Sequence, residues 1–234
     1  LTHLIQIEGP CAAGVLPLDE VIDSGRTGDA GDLFWQRAEK IEAEDLLTLI
    51  YTSGTTGNPK GVTLTHANLV QNVLPSAERA PVSADDLCLE FLPLCHVFER
   101  MLHYLYIYSG ITIHYAESIE KIADNVKEVK PNFMSVVPRL LEKIYDSIIA
   151  KGADLTGIKK KLFFWAVELG LRYEPYGRNG WWYEKRLALA NKLIFSKWRE
   201  ALGGQVKGII SGAAPLPAKI ARVFSAAGIP IREG

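Results

Sequence analysis

YTSGTTGNPKGVTLT, residues Tyr51–Thr65, is the stretch that decides how this chain is read. Thr52, Ser53, Thr55 and Thr56 offer hydroxyls, and Gly54 and Gly57 leave out the Cβ atoms that would keep the backbone from folding tightly. Successive N–H groups in such a loop form a concave anion site, and Lys60 adds a mobile positive charge. The apolar run Leu46–Tyr51 leads in as a buried strand. A helix follows from His66, with Thr65 as its N-cap and Leu69, Val70, Val73 and Leu74 on one face. No Gly-Lys-Ser/Thr follows the glycines at the Walker A spacing. Clusters of Ser, Thr and Gly between periodic segments are commonly plain loops. Taken alone, the residues describe a loop suited to a polyphosphate and leave the anion open.

The rest of the composition excludes several classes. The 234 residues are enough for one large domain or part of a larger one. With 48% hydrophobic and 23% charged residues, the composition is that of an ordinary globular protein. A net charge of −1 gives no basic field for nucleic acid. Cys11, Cys88 and Cys95 lack C-x-x-C spacing and suggest no disulfide framework, so a reducing, cytoplasmic setting is expected. No apolar run approaches the ~18–20 residues of a membrane span. Leu1 opens within a strand-like LTHLIQIEG and Gly234 follows a strand-like IPIRE, so a fragment is expected.

Along the chain, residues 1–45 read as an irregular lead-in with a helix near Leu33–Ile41. Residues 46–154 read as α/β with the phosphate loop. Strands are expected at Leu87–Leu92, Ile111–Tyr115 and Asn132–Val137. Between them lie helices carrying Val97, Phe98, Met101, Leu102 and Leu105, then Ile119, Ile122, Val126 and Val129 capped by Ser118, then Leu140, Leu141, Ile144 and Ile148. Residues 155–202 read as a helical insertion turned at Gly177–Gly180, with Leu187, Ala190, Ile194 and Trp198 on one face of its second helix. Residues 203–234 continue the α/β pattern through a strand at Val206–Ser211, a helix with Ile220, Val223, Phe224 and Ala227, and a strand at Ile229–Ile231. The fold class is therefore α/β, a mostly parallel sheet covered by helices. Ligands of such sheets bind beyond the carboxyl ends of the strands, where the phosphate loop is expected.

Two further segments carry candidate chemistry. In Leu92–Arg100, LPLCHVFER, Pro93 ends a strand and His96 stands at a helix start; Glu99 and Arg100 are open between pairing and capping roles. In Ile209–Pro217, IISGAAPLP, a strand runs into small residues that let a flat ring approach the backbone. With YTSGTTGNPKGVTLT, these three segments resemble, in order, the signatures of the adenylate-forming (AMP-binding) enzymes. VPRLLEKIY (Val137–Tyr145) and YGRNGWWYEKR (Tyr176–Arg186) are similar to the long-chain fatty-acid–CoA ligases within that superfamily.

The resemblance implies an internal piece of the large N-terminal adenylation domain, with the C-terminal domain absent. ATP, Mg²⁺ and coenzyme A would serve as cofactors and co-substrates, and a fatty acid as substrate. It implies that Thr52, Ser53, Gly54, Thr55, Thr56, Gly57 and Lys60 grip the phosphates, with Thr52 toward Mg²⁺. Gly212, Ala213 and Ala214 would lie against adenine and the acyl-adenylate. Lys60 and His96 would act in catalysis, His96 orienting the carboxylate. It also implies that residues 1–234 alone are inactive, since the segment beginning Y-G-x-T-E would follow Gly234. Two alternatives share these residues: an adenylating enzyme for an aryl, medium-chain or very-long-chain acid, and a nucleotide-binding module without turnover. Lys159–Lys161, Phe163, Phe164, Trp165, Trp181 and Trp182 mix basic and aromatic residues in the manner of interfacial helices, which predicts peripheral membrane contact through residues 155–202.

Overall fold

The computed structural model describes residues 4–7, 9–27, 31–52 and 58–234. Strands β1 (Leu4–Gln6) and β2 (Val15–Pro17) pair in parallel, and helices α1 (Leu18–Thr27) and α2 (Gly31–Ala38) follow. Strands β3 (Leu46–Thr52) and β4 (Lys60–Thr65) form an antiparallel hairpin that runs into α3 (His66–Arg79). The expected helix with Thr65 as N-cap is present. The Asn68 amide donates to Thr65 Oγ1 at 3.3 Å and the Thr65 amide to Asn68 Oδ1 at 3.0 Å, a reciprocal cap of the first turn.

From residue 87 onward strands and helices alternate: β5 (Leu87–Glu90), α4 (Val97–Tyr108), β6 (Thr112–Tyr115), α5 (Ile122–Val129), β7 (Phe133–Val136) and α6 (Pro138–Ala153). Three helical segments come next, α7 (Gly157–Leu171), α8 (Trp181–Ala190) and α9 (Ser196–Ala201), the last two joined by a π turn at Asn191–Phe195. Then come β8 (Gly208–Ser211), α10 (Ala218–Ala226) and β9 (Ile231–Glu233). The five strands β5–β9 form one parallel sheet in the order β6-β5-β7-β8-β9.

Because successive strand residues point to opposite faces, each strand serves two cores. Cys88, Phe133 and Ile210 pack with Val73 of α3 and Leu102, Leu105 and Tyr106 of α4. Leu89, Met134, Val136 and Ile209 pack with α5, α6, α7, α9 and α10. The chain therefore leaves β5 across one face to reach β6 and returns across the other to reach β7 on β5's far side. This reversal makes the carboxyl ends of β5 and β7 the topological switch point of the sheet, where doubly wound folds open a crevice.

The segment α7–α9 shares the larger core: Phe163, Ala166, Val167, Phe195 and Trp198 lie within it. Gly152 makes room, since a Cβ there would sit 2.0 Å from the Phe163 ring. Asn191 in the π turn donates to the carbonyls of Leu187 (3.2 Å) and Ala226 (2.9 Å), and Arg199 donates to Asn191 Oδ1 (2.7 Å) and to the Ala227 carbonyl. The irregular turn thereby satisfies carbonyls at the end of α10.

Three local expectations are corrected. Leu46–Tyr51 is not buried: Leu46, Leu49 and Tyr51 are exposed, because β3 stands in a two-stranded hairpin outside the main sheet. Residues Lys60–Thr65 are a strand rather than loop. Helix α5 starts at Ile122 with Lys121 as N-cap, and Ser118 and Ile119 lie in the turn before it.

Candidate functional site

The hairpin brings Thr52 and Lys60 directly opposite each other in register, and the Thr52 hydroxyl donates to the Lys60 carbonyl at 3.5 Å. Both are exposed at the mouth of the connecting loop. Ser53, Gly54, Thr55, Thr56 and Gly57, the candidate phosphate ligands between them, lie outside the described residues. Gly61 sits against the Tyr51 ring, where a Cβ would be 3.3 Å from Cε1. The capped start of α3 ties this hairpin to the main sheet, since α3 packs on α4 through Val73. The β3–β4 hairpin thus stands outside the parallel sheet.

The switch point carries the second candidate segment. After β5 the chain turns at Pro93, whose carbonyl accepts from the His96 amide at 2.9 Å. His96 is the N-cap residue of α4, with an extended backbone and an exposed imidazole that makes no cap hydrogen bond. Arg100 holds the loop from behind, its Nε donating to the Leu94 carbonyl at 2.9 Å. That gives Arg100 a loop-fastening role.

The third segment meets the second through one contact. A Cβ on Gly212 would lie 2.2 Å from Phe98 Cε2, so only glycine lets the Phe98 ring press on this strand end. The Gly212 amide donates to the Val136 carbonyl at 3.3 Å, which fixes the β8 exit beside β7. Ala213 then adopts φ 69°, a left-handed turn unusual for a residue with a Cβ, and leaves Ala213 and Ala214 exposed. The segments carrying His96 and Gly212–Ala214 therefore meet through Phe98 at the carboxyl edge of the sheet. Among the described residues, no hydrogen bond or ion pair links Thr52 or Lys60 to them.

Beneath α4 the sheet buries groups that the sequence reading left unassigned. Glu90 accepts from or donates to His103 Nδ1 at 2.9 Å through Oε2 and 3.2 Å through Oε1. Glu99 is wholly buried, and neither carboxylate oxygen has a partner of hydrogen-bonding geometry; the Tyr106 and Ser135 hydroxyls are likewise unpaired. Burial, reinforced by the Glu90 charge, pushes the Glu99 carboxyl up to about 7. Burial also raises Glu90, with the His103 contact acting in the opposite sense. A helical signal for Glu99 was available: Glu99, Leu102 and Tyr106 recur at i, i+3 and i+7, the buried stripe of α4.

On the opposite face lies an apolar cavity of about 420 Å³. Phe91 and Val136 line it at the carboxyl ends of β5 and β7, and Leu141, Ile144, Ile209 and Phe224 line it further along. Lys127, Lys143 and Lys151 also line it, and all three are exposed. Phe91 belongs to the β5–α4 connection that also carries His96, and His96 itself does not line the cavity.

Residues 8–234 match the AMP-binding enzyme family over nearly the whole chain. The chain belongs to that family. A long-chain acyl-CoA synthetase of Arabidopsis thaliana (number 7, peroxisomal) is 36% identical over 193 residues, which are 82% of this chain and 27% of the relative. The long-chain-fatty-acid–CoA ligase FadD15 of Mycobacterium tuberculosis is 31% identical over 239 residues, covering 100% of this chain and 39% of the relative. The chain thus spans well under half the length of either. Among solved structures, the N-terminal domain of FACL13 from Mycobacterium tuberculosis superposes with a TM-score of 0.61 at 20% identity, over 95% of this chain and 44% of that one. The A-PCP didomain of a carboxylic acid reductase from Segniliparus rugosus, in complex with AMP, gives 0.62 at 23% identity, over 94% and 27%. These two likenesses confirm the α/β fold of the AMP-binding family.

Among the described residues no group of three or more His, Cys, Asp or Glu side chains gathers to hold a metal. Thr52 is a single hydroxyl, which suits one contact to a Mg²⁺ carried on a nucleotide better than a resident metal site.

Proposed function

We propose that the protein carrying this chain activates a long-chain fatty acid in two steps. A carboxylate oxygen of the acid bonds to the α-phosphorus of ATP and the bond to pyrophosphate breaks. The thiol sulfur of coenzyme A then bonds to the acyl carbon, AMP leaves and the thiol proton is released. The second step is possible because AMP is a far better leaving group than oxide. Like-charged reactants meet in the first step, so positioning and charge stabilisation carry most of the rate.

In this scheme Lys60, Thr52 and the loop from Ser53 to Gly57 hold the β- and γ-phosphates, each charge-assisted hydrogen bond contributing about 1.5–3 kcal/mol. Thr52 faces the Mg²⁺ that enters with ATP. His96 orients the carboxylate, and Gly212, Ala213 and Ala214 flank adenine and the mixed anhydride. The observation that carries the choice of acid is the apolar cavity of about 420 Å³, lined by Phe91, Val136 and Ile144 and edged by lysines. The long-chain ligases among the relatives support the same choice. An acid of this kind partitions into bilayers, so we place the protein in the cytoplasm with residues 155–202 at a membrane surface. Thioester formation by the full-length protein, measured across C6 to C22 acids and benzoate, tests the assignment. Preference for long saturated or unsaturated chains is expected; preference for benzoate would refute it.

A further inference from the structure

The sequence reading placed interfacial character on Lys159–Lys161 and on the aromatic residues of α7 and α8 together, and the structure separates them. Phe163 is in the core and Trp165 is half-buried. On α7, Ile158 and the edge of Phe164 stay in solvent, whereas the second helical stretch, α8 through the π turn into α9, leaves a longer run of aromatic and apolar residues exposed. Trp182 is 75% exposed, Leu189 49% and Leu193 42%. Their spacing of seven and then four residues puts all three on one line along the helix. Leu187, Ala190, Phe195 and Trp198 on the other side are buried in the core. The line is therefore a surplus apolar ridge on a helix already anchored by its inner face.

The charges around the ridge are of one sign. Lys185 and Lys192 flank it on one side, Arg186 and Lys197 on the other, and all four are exposed. Among the described residues none of the four is in an ion pair. Across Trp181–Lys197 the sole acidic residue is Glu184, which falls on the helix side away from the ridge. Trp181, 61% exposed, stacks edge-on with Trp182 at 4.5 Å and lies under Lys185 Nζ at 5.6 Å. The other exposed aromatic pair, Phe34–Trp35 on α2, has Asp32 and Glu39 as neighbours and lacks this pattern.

We infer that the Trp182–Leu189–Leu193 ridge docks in the plane of a bilayer whose surface carries anionic lipid headgroups. The indole and leucines enter the headgroup–acyl boundary, and the two rows of cations straddle them and meet the lipid phosphates. Uncompensated cations on both flanks argue for an anionic lamellar surface over a protein partner, whose contact would need matched acids at fixed positions. Tryptophan at the leading end suits the interface, where its apolar body and polar N–H are both satisfied. The inference specifies the membrane placement proposed above and is independent of the ligase chemistry.

The test is sedimentation of the full-length protein with vesicles of phosphatidylcholine alone or with 30% phosphatidylglycerol, in the absence of ATP, acid and coenzyme A. Binding is expected to the anionic vesicles, with release in 0.5 M salt. Lys185→Gln with Lys192→Gln should weaken partitioning about fivefold per charge removed. Trp182→Ser with Leu193→Ser should abolish it while leaving the circular dichroism spectrum and melting temperature unchanged, because both side chains are exposed. Equal binding by wild type and both variants, or equal binding to neutral and anionic vesicles, would overturn the inference. So would a fall in melting temperature for the serine pair, which would mean that protein covers the ridge. Acyl-CoA formation in detergent tests the ligase assignment separately.

Discussion

On its α3–α4 face the five-stranded sheet buries Glu90, Glu99, Tyr106 and Ser135, whereas its α5–α10 face buries leucine, isoleucine and phenylalanine around an open volume. The same strands supply both: Glu90 points one way and Phe91 the other, Ser135 one way and Val136 the other. One face therefore gathers buried carboxyl groups beneath α4, and the other leaves an apolar cavity. In the function proposed above, that cavity would take the tail of the acid. The division follows from the two-residue period of a strand and from nothing more elaborate.

Four substitutions sharpen or break this contrast. Leu141→Ala, at a fully buried cavity wall, should cost about 2–5 kcal/mol in denaturant unfolding, since it enlarges a void that is already present. A smaller loss would mean that the α5–α10 face is loosely packed. Glu99→Gln tests the opposite face and should stabilise. With the folded carboxyl near 7 against an ordinary 4.5, the folded chain keeps a proton that the unfolded chain has released. Stability therefore falls as pH rises from about 4.5 to about 7, and the loss persists above that window. Removing the charge should recover about 3 kcal/mol at pH 8 and flatten the slope; an unchanged pH profile would contradict a buried, half-protonated Glu99.

The third change is His103→Ala. It leaves Glu90 without its partner and should cost about 1.5–3 kcal/mol near neutral pH. Equal stability of the variant would show that water replaces the imidazole. The smallest effect on stability is expected from Ile144→Phe, under about 1.5 kcal/mol, because the added volume enters the cavity. Its signature lies in function instead, a shift toward shorter acids in the thioester assay. An unaltered chain-length profile would remove the tail from this cavity.

Much of this architecture was legible in the sequence because both period signals were clean. Phe133–Val136 and Gly208–Ser211 are short apolar runs between amphipathic helices, the pattern of parallel strands buried on both sides. The hairpin was misread for a physical reason. Leu46–Tyr51 is as apolar as a central strand, yet it stands half-exposed in a two-stranded ribbon, and apolar content alone does not distinguish the two. The alternation of Val62 and Leu64 with Gly61, Thr63 and Thr65 was the available sign of β4. Glu99 could have been placed inward from its helical phase with Leu102 and Tyr106. The cavity could not, because a void is where side chains from six elements fail to meet, and no local pattern encodes it. The Phe98–Gly212 contact was out of reach for the same reason: it joins residues 114 positions apart.

Fatty-acid-dependent exchange of labelled pyrophosphate into ATP, catalysed by the full-length protein, tests the central claim most directly. Exchange should require a long-chain acid, and it should fall about 10²–10³-fold in Lys60→Ala, as expected for loss of one charge-stabilising donor. Exchange driven equally well without a fatty acid, or left intact by Lys60→Ala, would contradict it.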